Sequence, residues 1–334
     1  MRKKKCFFIA EAGVNHNGSV KIAKKMIDVA KNSGADAVKF QTFKAKNLLI
    51  KNAPSMKHQK NFNKNISQFE MLKKLEISFE DHKLLKNYCK KKNIMFLSTA
   101  FDQESLIFLK SINMEIFKVP SSEMNNFQYL KTLSKFKSQI ILSTGMSYMK
   151  EIENSLKFLK KNKQNLKKIT LLHCTSEYPA KFQNLNLSAL NAMKKKFKIN
   201  IGYSDHSKGI IAPLIALGMG CTVIEKHFTL SRAMKGPDHK ASLEPKELAE
   251  LIKNIRISES IFGNGIKAPL KSEMLNRKLA RKSIFANKKI LKGEKFTEQN
   301  LTTKRPGTGI PAQNYFKLIG KKSKKSYNKD DFIN

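Results

Sequence analysis

The chain has 334 residues, 40% of them hydrophobic, which is enough for a barrel-sized core with a small appendage. Lysine and arginine outnumber aspartate and glutamate 65 to 26, a net charge of +39, but the lysines are spread over nearly every expected helix without interleaved aromatics, which argues against a nucleic-acid binder. No apolar run reaches the length of a bilayer span, and the apolar start breaks at Glu11, so neither a membrane protein nor a signal peptide is implied and a cytoplasmic protein is expected.

Short apolar runs with polar tips alternate with amphipathic segments along the first 260 or so residues. Strands are expected at 7–12, 35–41, 94–99, 115–120, 139–144, 169–175, 199–205 and 222–228. Helices are expected at 19–33, 79–92, 103–112, 127–135, 149–162, 186–197, 209–219 and 245–261, the last opening with Glu-Pro. Eight strand-helix units in that order match an α/β fold of the (β/α)₈ barrel type, residues 1–262. A doubly wound open sheet is the competitor, but it usually brings a Gly-rich phosphate turn, and none is found. Residues 43–78 read as an insertion after the second strand, with a short helix in SQFEMLKKLEIS. Residues 263–277 read as a polar connector. Residues 278–334 read as a separate small domain of turns and short strands. The cysteines, Cys6, Cys89, Cys174 and Cys221, form no C-x-x-C pair and are expected as buried free thiols.

A barrel gathers its chemistry at the C-terminal ends of its strands. Those ends carry Glu11, Lys39 with Gln41, Thr99, Lys118 with Ser121 and Glu123, Ser143, Ser176, Ser204 with His206, and Glu225 with His227. Two lysines among several hydroxyls suit a phosphate and a carboxylate. Lys39 lies inside AVKFQ, where an unpaired ammonium would cost several kcal/mol. It needs either a carboxylate such as Glu11 or an anionic ligand. Strict alternation puts Lys118 and Ser121 on opposite faces unless the chain bends at Pro120. Glu11 and Glu123 serve equally well as proton-transfer groups or as partners for the lysines.

His206 and His227 end two strands separated by one apolar helix, so the two imidazoles should meet at one rim. Two histidines with Glu225 nearby suit a divalent first-row metal with open positions, although a lone strand-end histidine is more often a hydrogen-bonded structural residue than a ligand. His16, His173 and His239 read as structural or substrate-contacting, and His58 and His82 as surface residues. Asp238, in GPDHKASLEP, could bond a polyol or hold a turn.

Ten segments in order, among them IAEAGVNHNGS, VKFQTF, FKVPSSE, LLHCTSEYP, GYSDHS, IEKHFTL and TKRPGTGI, make the chain similar to the N-acetylneuraminate (sialic acid) synthase family. The tail resembles the type III antifreeze-protein-like domain of those enzymes. The resemblance implies a transferase that condenses phosphoenolpyruvate with N-acetylmannosamine, giving N-acetylneuraminate and phosphate. The alternative within the family is a legionaminic acid synthase using 2,4-diacetamido-2,4,6-trideoxymannose. Outside it stand a metal-dependent aldolase and a nucleic-acid-binding barrel protein.

The resemblance also implies roles. Lys39, Thr99, Lys118, Ser121, Ser143, Ser176 and Ser204 match phosphoenolpyruvate contacts, with Ser176 standing where many members have Asn. Gln41, Glu123, Tyr178, Asp238 and Arg305 match the amino-sugar side. Glu11, Glu123 and Arg305 match catalytic positions. His206 and His227 match the ligands of a divalent metal, manganese first, with magnesium or cobalt also possible. A domain-swapped homodimer is implied, in which Arg305 of one subunit reaches the barrel of the other.

Overall fold

The computed structural model describes residues 5–51, 53–54 and 67–334. It divides into two compact units, Met1–Asn264 and Gly265–Asn334.

In the first unit eight parallel strands close into a barrel: β1 Phe7–Gly13, β2 Ala37–Thr42, β3 Met95–Ala100, β4 Ile116–Val119, β5 Gln139–Ser143, β6 Ile169–Cys174, β7 Asn200–Asp205 and β8 Val223–His227. Closure comes from β1 pairing with β8, from Phe7 opposite Val223 to Glu11 opposite His227. Every expected strand is present, with its ends within two residues. Strands covered on both faces read as near-continuous apolar runs, and β1 (FFIAEAG) is buried along its length apart from half-buried Phe7.

Several connecting helices begin where the sequence supplies a cap. Ser19 accepts from Ile22 N–H, Ser78 from Asp81 N–H and Asp102 from Ser105 N–H, so a side-chain oxygen satisfies an otherwise orphaned amide in each case. Helix Val20–Asn32 buries Ala23, Met26, Ile27 and Ala30, the spacing of one helical face. Helix Pro245–Ile261 starts on its proline, whose missing N–H is one of the orphans anyway. Among the described residues no helix is long and apolar enough to cross a membrane.

The described parts of the 43–78 insertion form helices Ala45–Leu48 and Gln68–Leu75. The second is the expected one, set by a Ser67–Glu70 capping box. Together they bury Phe43, Met71 and Leu75 with Val14 and Phe101, which follow β1 and β3. A satellite core is thereby fixed at the strand tips. His58 lies outside the described residues.

The second unit pairs β9 Ser283–Ala286 with β10 Leu301–Lys304, antiparallel. Its own core holds Ile284, Ile290, Phe296, Leu301, Tyr327 and Ile333. Helix Met274–Ala280 runs from the expected connector into the expected small domain.

Candidate active site

The strand tips enclose a cavity of about 190 Å³. Its wall includes Glu11, Lys39, Gln41, Thr99, Lys118, Ser121, Ser143, Ser176, Tyr178, Ser204, His206 and His227, that is, twelve of the fifteen expected site residues. Register explains the convergence. Glu11 stands opposite Lys39 on one side and His227 on the other, Gln41 opposite Thr99, Thr99 opposite Lys118, and Ser204 opposite Glu225.

Four charges share the floor. Lys39 Nζ is 2.7 Å from Glu11 Oε2 and donates to Thr99 Oγ1 at 2.9 Å. Lys118 Nζ donates to Ser143 Oγ at 2.7 Å. Glu225 lies 3.7 Å from each ammonium and accepts from Ser204 Oγ at 3.0 Å. Burial disfavours every one of these charges, and their mutual attraction decides which survive. Burial pushes the Glu11 carboxyl up to about 7, despite the pull of Lys39. Burial also works against the Lys39 ammonium, but Glu11 and Glu225 outweigh it and hold its pKa raised. Lys118 is lowered by burial, which the pull of Glu225 at 3.7 Å only partly offsets and the neighbouring Lys39 reinforces. Glu225 is held below the usual carboxylate range because Lys118 and Lys39 overcome the cost of burying it. The expected carboxylate beside the imidazoles therefore serves the lysines.

Pro120 ends β4, and the chain turns at once into a 3₁₀ segment, Ser121–Glu123. That turn brings Ser121 onto the same wall as Lys118, as the bend required. Ser121 Oγ accepts from Gly145 N–H at 3.0 Å. A Cβ on Gly145 would stand 2.4 Å from Ser176 Oγ and 2.8 Å from Ser121 Oγ, so glycine is what lets these two hydroxyls converge.

The rings of His206 and His227 lie 5.5 Å apart, centroid to centroid, with Tyr178 4.1 Å from His206. His206 Nδ1 is 2.7 Å from the Thr175 carbonyl, to which it can only donate, so its lone pair is at Nε2. Burial opposes charge on this ring, but Cys174 and the Thr175 carbonyl outweigh it and raise its pKa, which makes Nε2 the more basic donor. His227 is held neutral by burial, and its Nδ1 is buried without a hydrogen-bond partner. Two imidazoles with free lone pairs and no protein bond locking the second ring suit a divalent cation. Among the described residues no third His, Cys, Asp or Glu joins them, so a cation held there would have only these two protein ligands of that kind.

Three expected residues lie outside the cavity wall. Glu123 is buried beside it and accepts from Asn126 Nδ2 at 2.6 Å; burial raises its pKa. Asp238 is buried, its carboxyl pushed up to about 6 although His206 lies within electrostatic reach. Arg305 is exposed on the second unit. The expectation that His82 lies on the surface is corrected: its ring is fully buried on the inner face of helix Phe79–Lys91, edge-on to Phe96 and Phe108, with Nδ1 bonded to the Ser78 carbonyl. Phe101, Pro120, Ser122, Met146 and Cys174 also line the cavity. Cys174, a buried free thiol as expected, could have been placed there from its inward register two residues before Ser176.

A model of the NeuB family matches residues 26–267, and one of the SAF domain matches residues 281–334. An N,N'-diacetyllegionaminic acid synthase of Campylobacter jejuni is 51% identical over 331 residues, covering 99% of each chain. A protein of the same name from Legionella pneumophila is 43% identical, covering 94% of this chain and 89% of its own. The solved N-acetylneuraminic acid synthetase of Leptospira borgpetersenii, in complex with citrate, has a TM-score of 0.72 at 38% identity, covering 82% of this chain and 90% of that one.

Proposed function

Because this chain belongs to the NeuB family, we propose that it condenses phosphoenolpyruvate with an open-chain N-acetylated amino sugar, giving a nine-carbon 2-keto sugar acid and phosphate. The observation that carries this reading is the pair of buried lysines set among hydroxyls beside two imidazoles. Phosphate and carboxylate bind charged and neutral donors together, so Lys39, Lys118, Thr99, Ser121, Ser143, Ser176 and Ser204 are the residues to hold phosphoenolpyruvate. Glu11, poised near neutrality, is the group to hold or move a proton during the addition. Gln41, Tyr178, Glu123 and Asp238 are proposed on the amino-sugar side.

His206 and His227 are proposed to hold a divalent cation, manganese first, with magnesium or cobalt as alternatives. When bound, such a cation supplies Lewis acidity to the sugar aldehyde. The proposal extends to a domain-swapped homodimer in which Arg305 of one subunit completes the site of the other.

N-acetylmannosamine is the first expectation from the family resemblance, and the names of the two relatives support the alternative, 2,4-diacetamido-2,4,6-trideoxymannose. The product would then be N,N'-diacetyllegionaminate. Purified protein offered phosphoenolpyruvate with each sugar separately, assayed for released phosphate, tests both levels. A kcat/KM at least about tenfold higher for the diacetamido sugar is expected, the equivalent of one well-placed contact of about 1.4 kcal/mol. Preference for N-acetylmannosamine would restore the first expectation, and phosphate release with neither sugar would remove the condensation itself.

A further inference from the structure

Behind the two imidazoles lies a charge pair that the reaction above does not use. On β7 and β8, Ser204 stands opposite Glu225 and Asp205 opposite Lys226. Alternation turns Ser204, His206, Glu225 and His227 to the cavity, and Asp205 and Lys226 to the other face. There both side chains are 0% exposed. The Lys226 ammonium donates to the Asp205 carboxylate and to the Ser207 carbonyl. The same carboxylate accepts from the Tyr203 hydroxyl and from Ser207 N–H, each at 2.9 Å. The residues on both sides of His206 are thus fastened to the residue that precedes His227. The His206 carbonyl is held as well, accepting from Ala180 N–H at 2.9 Å.

Stability alone does not explain such a pair. Two charges taken out of water lose hydration that their attraction scarcely repays, and apolar residues of similar volume often serve as well. What an ion pair adds is direction: the lysine reaches two fixed acceptors, and a methionine in its place would choose neither. We propose that Asp205 and Lys226 are a positioning pair, which holds His206 and His227 in the relative placement that a shared divalent cation requires. The inference rests on the cation reading above and names the outer residues that the two imidazoles depend on.

The test compares the full-length parent with an Asp205→Leu/Lys226→Met double variant. Four quantities are measured: melting temperature, Mn²⁺ affinity from the electron paramagnetic resonance of free ion, the visible spectrum with Co²⁺, and kcat with KM for phosphoenolpyruvate. The variant is expected to stay folded, to bind Mn²⁺ about 10- to 100-fold more weakly, the usual effect of losing a residue that orients a ligand, and to give an altered Co²⁺ spectrum. At saturating metal its kcat should fall while KM for phosphoenolpyruvate holds. A folded variant with the parent's Mn²⁺ affinity and Co²⁺ spectrum overturns the proposal. Should the double variant not fold, Tyr203→Phe decides: it removes one donor to Asp205, and an unchanged Mn²⁺ affinity overturns the proposal equally. A parent that binds neither ion removes the cation reading and this inference with it, whereas a parent that binds and a variant that binds equally well removes the inference alone.

Discussion

Lys39 and Glu11 are register neighbours on adjacent strands, and their side chains meet at 2.7 Å inside the barrel, almost wholly out of solvent. A lysine inside a buried strand needs either a carboxylate or an anionic ligand for a partner. Lys39 has the carboxylate, with Thr99 and Glu225 alongside, and it still lines the cavity. An incoming anion would therefore find an ammonium already charged and held in place.

Replacing that lysine leaves Glu11 and Glu225 facing each other in the interior. Lys39→Met is expected to cost about 3–5 kcal/mol near pH 8, the range for breaking a buried pair from one side. The loss should shrink as the pH falls. Burial raises the Glu11 pKa to about 7 against the pull of Lys39; without that pull it rises further, so the folded variant takes up its proton at a higher pH than the folded parent does, and the penalty eases as the pH falls from 8. Urea denaturation at pH 8 and pH 5.5 checks the sign. A larger loss at the lower pH would mean that Glu11 is not the group left stranded.

His16 supplies the opposite slope. Its ring is buried, Nδ1 accepts from Gly18 N–H at 3.0 Å, and burial pushes its pKa down to about 3. Between pH 6.5 and 3 the unfolded chain binds a proton that the folded chain refuses. The stability His16 contributes is therefore complete above 6.5 and is lost as the pH drops. At pH 4.5 the parent should have lost about 3 kcal/mol through this residue, two pK units' worth. His16→Leu should be less stable than the parent at pH 7.5, yet lose less on acidification, with a residual slope from His82, which burial also lowers. Parallel pH profiles for parent and variant would contradict this.

The barrel and most of its site were legible because both rest on alternation. Inward positions two apart carry Ser204 with His206 and Glu225 with His227, and a parallel sheet brings equivalent tips to one edge. What alternation could not supply was the company each side chain keeps. Glu225 shares a face with His227 as read, but its partners, Lys39 and Lys118, come from strands more than a hundred residues away in sequence. His82 was misread because a polar residue at the start of an amphipathic helix usually faces water. Here the Ser78 carbonyl takes its N–H and two phenylalanines cover the ring. The sugar escaped the residues altogether, since the two choices differ in small substituents that no single motif encodes.

Assembly can be tested without a structure of the complex. If Arg305 of one subunit completes the other's site, Arg305→Ala and His206→Ala homodimers should each be nearly inactive, and mixed dimers should carry one intact site in two. Recovery of up to about a quarter of parental activity is then expected after random reassortment, since half the dimers are mixed. Tagged purification of the mixed species separates poor exchange from a true negative. Proven mixed dimers without recovered turnover would place Arg305 outside any shared site.

Gly13 is the last point at which backbone and chemistry meet. It follows Glu11 across a register shift in β1, with φ +52°, in the left-handed region that costs other residues about 1–2 kcal/mol. A Cβ there would stand 3.2 Å from His227 Cε1 and 3.3 Å from Nδ1. Ring and backbone are thus packed so closely that only a glycine leaves the imidazole its orientation. Gly13→Ala is expected to lower stability by about 1–2 kcal/mol from backbone strain alone. It should also turn the His227 ring, because the ring is the movable partner: Nδ1 has no hydrogen bond to hold it. Mn²⁺ affinity should therefore fall further than the stability loss explains, and KM for phosphoenolpyruvate should change little, since the lysines and serines lie on other strands. Measuring melting temperature, Mn²⁺ binding and KM on one preparation separates these effects. A variant that loses stability but keeps its metal affinity would show that the ring, once displaced, finds the same place by another rotamer, and that Gly13 serves the strand rather than the site.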